Sequence, residues 1–152
     1  MSKEHSMDHP KPELKYVGAR FLNGTAARLD GADVIGSDGG DLGTVDGFIV
    51  DVRQERPRYV VVEAGWFIHK HFLLPIGHVT LSPDATVLTA DISKDRVEGF
   101  PGFDKSEFQK LDGTQLQELD RMMAKLTSGA DITDVETHYT VPADWDSPVS
   151  TR

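Results

Sequence analysis

Turn-forming residues interrupt the chain about every 8–12 residues between positions 29 and 100, and the stretches between them are too short for helices. Asp33–Ser37 is a brief apolar run. Asp38-Gly39-Gly40-Asp41 follows and supplies the positive φ that tight hairpins need. In Leu42–Val52 the apolar residues Leu42, Val45, Phe48 and Val50 alternate only in part, with Gly43 and Gly47 between them. Glycines inside a strand mark sharp bends or a bulge, as small barrels require. Arg53–Pro57 reads as a polar turn. Tyr59-Val60-Val61-Val62 is strongly β-prone and predicts a strand buried on both faces. Beyond Gly65 the pattern predicts strands over Phe67–Leu74, Val79–Leu81 and Thr86–Ala90. Strands this short, with no helix between them, predict a mainly β fold, a small barrel or sandwich.

A helix is predicted to follow that block. Leu116, Leu119, Met122, Met123 and Leu126 recur at helical spacing on one face, Thr114 and Gln117 fit a capping box, and Ser128-Gly129 ends the run. A shorter helical turn is predicted over Lys105–Leu111. The apolar stripe must lie either on the barrel or against a second copy of the chain. Burying three to five such side chains is worth roughly 1.5–3 kcal/mol each before entropy costs, enough for a C2 homodimer at micromolar concentration. The expectation is therefore a homo-oligomer with these five residues in its interface. Trp66, beside Gly65, is either core or a further interface anchor. The chain divides into a mostly disordered or loosely packed arm over residues 1–28, a barrel over 29–103 and a helical extension over 104–128. An acidic polar tail over 129–152 completes it, with a short extended segment at Thr137–Val141.

Sixteen Lys and Arg face 25 Asp and Glu among 152 residues, a net charge of −9. An acidic surface repels phosphate backbones, so DNA is not an expected partner. The chain holds no cysteine, which removes disulfides, thiol catalysis and thiolate metal sites together. No apolar run reaches the roughly 18–20 residues of a membrane span. Met1–Pro12 lacks the apolar stretch of a signal peptide. A cytoplasmic protein is expected.

Residues with chemical potential are few. His69 and His71 are two apart on a predicted strand and share a face, and His78 follows just past Pro75. Three imidazoles could hold zinc or nickel. The alternative is a set of exposed polar positions, since no carboxylate stands at ligand-like spacing in that segment. Asp33, Asp38, Asp41, Asp46 and Asp51 surround one hairpin without calcium-loop spacing, and turn chemistry accounts for Asp38 and Asp41. Arg53, Arg56 and Arg58 flank a turn, as an anion clamp or as a surface turn paired with Asp51 and Glu55. No nucleophile motif or phosphate loop is present. No catalytic residue and no cofactor are assigned.

The order of these motifs carries a resemblance. Leu29-Asp30-Gly31-Ala32-Asp33-Val34 precedes Gly39-Gly40-Asp41-Leu42-Gly43-Thr44-Val45 and then Phe48-Ile49-Val50-Asp51. Arg58-Tyr59-Val60-Val61-Val62-Glu63, Phe72-Leu73-Leu74-Pro75, Val87–Ile92 and Phe100-Pro101 continue the series. Together they resemble a PRC-barrel domain. That family includes the cytoplasmic part of the photosynthetic reaction-centre H subunit, to which the similarity is closer, and the C-terminal domain of a ribosome-maturation factor. The H subunit carries an N-terminal membrane helix that these first 28 residues lack. The resemblance thus implies a small PRC-type barrel with an appended helix and flexible polar tails, a stand-alone, non-enzymatic interaction or assembly module with an unknown protein partner. The alternatives are a metal- or ligand-binding protein using His69, His71 and His78, or an RNA- or ribosome-associated accessory factor.

Overall fold

The computed structural model describes residues 13–84, 86–128, 138, 139 and 141. Seven strands form one sheet: β1 (Leu14–Gly18), β2 (Asp33–Ile35), β3 (Asp41–Asp51), β4 (Arg56–Glu63), β5 (His71–Pro75), β6 (Val79–Leu81) and β7 (Val87–Ala90). The order is β5-β4-β3-β2-β7-β6, with β1 also paired to β3. Neighbours are antiparallel except β2 and β7, which run parallel. The predicted mainly β domain is present. Its sheet is not a closed barrel, since among the described residues no ladder joins β5 to β6.

Strand β3 organises the sheet. One edge pairs along its length with β4, while the other is shared between β2 at its start and β1 at its end. Its glycines permit the bend. Gly43 has φ +134°, and a Cβ there would collide with the Glu63 carbonyl of β4. Gly47 lies directly against β1, where a Cβ would stand 2.5 Å from the Val17 carbonyl oxygen. The register shifts between Val45 and Gly47, so Asp46 is bulged out of the β3–β4 ladder. Tyr59, Val60, Val61 and Val62 are all fully buried, as the β-prone run predicts.

Two segments depart from the sequence reading. Residues 13–28 are not a loose arm: β1 pairs with β3 over five positions, and α1 (Gly24–Arg28) follows. Leu14, Ala19, Leu22 and Ala26 are buried in the core. Residues 64–70 are not the start of a strand but a tight turn. Ala64 N–H donates to the Lys70 carbonyl (2.8 Å), and Lys70 N–H to the Phe67 carbonyl (2.9 Å), with Lys70 at φ +71°.

Two short helices, α2 (Lys94–Val97) and α3 (Lys105–Phe108), lead to α4 (Gly113–Ser128). The cap of α4 is one motif earlier than predicted. Asp112 Oδ1 accepts from Gln115 N–H (2.8 Å), and the Gln115 side chain accepts from Asp112 N–H (2.9 Å). The helix contacts β5. Leu116 and Met123 are buried in the chain's own core, and Leu119 and Leu126 pack partly against it. Met122 is 42 % exposed. The stripe assigned to a dimer interface is thus largely covered within one chain, because the face of β5 needs an apolar lid.

A polar network pins α4. Asp120 Oδ2 accepts from Arg58 Nη2 at 2.7 Å and Asp120 Oδ1 from the Tyr59 hydroxyl at 2.6 Å. The Tyr139 hydroxyl lies 2.8 Å from that of Tyr59 and donates to the Asp120 carbonyl. Arg58 lies 4.1 Å over the Tyr139 ring. Arg58 is therefore an internal ion-pair partner, not part of an anion clamp, while Arg53 lies 3.9 Å from Glu13. Of the predicted extended segment Thr137–Val141, His138 and Tyr139 form a short helical turn. The rest of the predicted tail and residues 1–12 lie outside the described residues, apart from Val141, which packs partly against the core. No described helix is long and apolar enough to cross a membrane.

Candidate functional site

The turn after β4 presents aromatic groups at the surface. Phe67 is buried and packs edge-on against Phe72 of β5, with ring centroids 5.2 Å apart. Trp66 is half-buried over both rings, at 5.6 Å from Phe67 and 6.2 Å from Phe72. Lys94 caps its outer face at 4.7 Å. Trp66 Nε1 has no hydrogen-bond partner among the described residues. Ile68 stands at the tip and is 91 % exposed. Trp66, Phe67, Ile68, His69, Glu98 and Phe100 line a cavity of about 330 Å³. Trp66 thus has one edge in the core and the other at a surface hollow. Ile68 was not singled out from sequence, because an apolar residue between Phe67 and His69 reads as strand interior.

The three candidate histidines do not converge. His69 lies in the turn, its ring 5.5 Å from Phe67 and its side chain against Gly102. His78 Nδ1 lies 2.7 Å from Asp91 Oδ1, and His78 Nε2 lies 2.6 Å from His138 Nδ1. The two rings stack with centroids 4.8 Å apart. His71 begins β5 opposite Glu63. The shared strand face assumed for His69 and His71 is lost because β5 starts at His71, after the positive-φ Lys70.

His71 has other company. Its ring nitrogen and carboxylate oxygens of Asp46 and Glu63 all lie within 4.8 Å of one another. The Tyr16 hydroxyl donates to Asp46 Oδ2. Burial, reinforced by that bond, raises the Tyr16 pKa well above its ordinary value, so the hydroxyl stays a donor. Lys105 sits 4.5 Å from the centre of the Tyr16 ring. An open cleft of about 540 Å³ adjoins Tyr16, Asp46, His71 and Lys105. Sequence reasoning missed this set because its members come from three strands. The sole cue was the partial alternation of β3, the trace of its bulge.

Elsewhere the titratable groups serve the fold. Burial, then Asp120, raises the Tyr59 pKa. Asp38 is held ionised by the Gly40 amide, and Asp84 by the Thr86 and Ser82 hydroxyls.

Residues 25–98 match the model of the PRC-barrel domain. No curated protein matches the chain. The matched segment runs from α1 through α2 and contains β2–β7, so the chain carries a PRC-barrel domain to which β1, α3 and α4 are added.

Proposed function

We propose that this PRC-barrel chain is a non-enzymatic interaction and assembly module, and that the turn over residues 64–70 is its docking element. The observation that carries the reading is Ile68, 91 % exposed at the tip of a turn whose base is three packed aromatic rings. A lone exposed aliphatic residue is ordinary. This one is held by two backbone hydrogen bonds beside an aromatic-lined hollow. A preorganised anchor loses little entropy on binding, which is how interface hot spots gain affinity. The matching occupant is a protein surface with an apolar recess for Ile68, a second copy of the chain included. The shifted pKa values support a role without catalysis, because each has a structural cause.

The test compares wild type with Ile68→Asp, a change too exposed to disturb folding. Affinity capture from native cells should retain a partner on wild type and lose it on the variant, with both melting alike. Light scattering identifies a second copy as the occupant if the wild-type mass exceeds 16.8 kDa and the variant returns to it. Equal retention and equal mass for the two proteins would refute the docking role.

A further inference from the structure

We infer that Asp46, Glu63 and His71 form a site for one divalent transition-metal ion of the zinc class. The inference is independent of the docking turn. Thr44 lies opposite Glu63, and Glu63 opposite His71, in adjacent ladders. The bulge carries Asp46 beside this pair, and the ligand atoms of all three lie within 4.8 Å of one another. The bulge leaves Asp46 without a partner across the ladder.

Geometry and charge agree. Bonds of about 2.1 Å at tetrahedral angles place ligand atoms about 3.4 Å apart. The present atoms, within 4.8 Å of one another, need side-chain rotation and no backbone movement. Two carboxylates so close repel each other, and among the described residues no Lys or Arg forms an ion pair with either. A cation removes that repulsion. Tyr16 supplies the outer support that metal-bound carboxylates need, occupying Asp46 Oδ2 and leaving Oδ1 for the ion. The imidazole selects the chemistry. Zinc, cobalt and nickel accept one nitrogen and two oxygens, whereas magnesium and calcium prefer oxygen throughout. Three protein ligands leave a fourth position facing the cleft, open to water or to an acidic group from a partner.

The test is equilibrium dialysis against zinc, with cobalt absorption as the optical readout. Wild type should bind one equivalent, and cobalt should give the intense visible bands of a four-coordinate site. Glu63→Gln, a surface change that keeps the fold, and His71→Ala should each abolish stoichiometric binding. Tyr16→Phe should weaken it about 10–100-fold through the freed carboxylate. His69→Ala, in the same cleft without a ligand role, should bind as wild type. Wild type without bound zinc, or Glu63→Gln binding zinc as wild type does, would overturn the assignment. So would equal losses at His69 and His71.

Discussion

Three glycine-to-alanine changes separate backbone strain from crowding in the sheet. Gly39 has φ +82° with open space around it, so alanine there meets only the left-handed penalty, about 1 kcal/mol. Gly47 has no positive φ, but its Cβ would stand 2.5 Å from the Val17 carbonyl oxygen and 2.9 Å from the Tyr16 ring. Strand β1 must shift to admit it, at about 1–3 kcal/mol. Gly43 combines φ +134° with a Cβ driven into the Glu63 carbonyl and 3.0 Å from Val62 Cγ1. Its cost adds strain of about 1–3 kcal/mol to a clash of similar size, so about 2–6 kcal/mol in all. Against a domain stability of roughly 5–15 kcal/mol that is a large loss. At roughly 4 °C per kcal/mol, melting should fall by about 4 °C for Gly39→Ala, about 4–12 °C for Gly47→Ala and about 8–24 °C for Gly43→Ala. Thermal melts followed by far-ultraviolet circular dichroism measure all three. Gly43→Ala melting as Gly39→Ala does would refute the close approach of β3 and β4, and Gly43→Val should be worse than either.

Other perturbations probe the helix and its anchors. Asp120→Ala removes the acceptor shared by Arg58 and Tyr59 and should cost about 1–3 kcal/mol in urea unfolding; a loss too small to measure would place the pair in solvent. The raised Tyr59 pKa means that the folded chain holds its proton longer than the unfolded chain, whose value is near 10. That contribution to stability is complete below about pH 10 and declines as pH rises toward the folded value, so Tyr59→Phe should flatten the alkaline limb of the stability curve. Met123→Asp should unfold the domain while Met122→Asp leaves melting nearly unchanged, and equal effects would contradict the helix orientation. Pro75→Ala should cost about 1 kcal/mol, since alanine readily adopts its φ of −60°.

The β block was legible because its turns are written in local chemistry: Asp38-Gly39-Gly40-Asp41 and Arg53–Pro57 need no tertiary information. Strand β1 was not, since Leu14, Tyr16 and Val17 are too few to announce a strand, and their pairing to Phe48–Asp51 spans more than thirty residues. The turn over residues 64–70 misled because Phe67 and Ile68 look like strand residues, and nothing local reports that Lys70 turns left-handed. The stripe of α4 was visible, but an apolar stripe does not name its cover. Likewise His71 was found, while its neighbours Asp46 and Glu63 depend on register and on a bulge.

The Tyr59–Tyr139 contact also orders the protein's assembly in time. Tyr59 waits for a partner 80 residues further along the chain. Strand β2 likewise waits for β7 before its second edge is covered. Such distant pairings close slowly, because loop entropy is lost before the contacts repay it. During synthesis the face of β4 that receives Asp120 and Tyr139 is therefore bare until residue 139 has emerged. In that interval part of the core stays uncovered, and among the described residues Tyr139 is the last aromatic ring to join it.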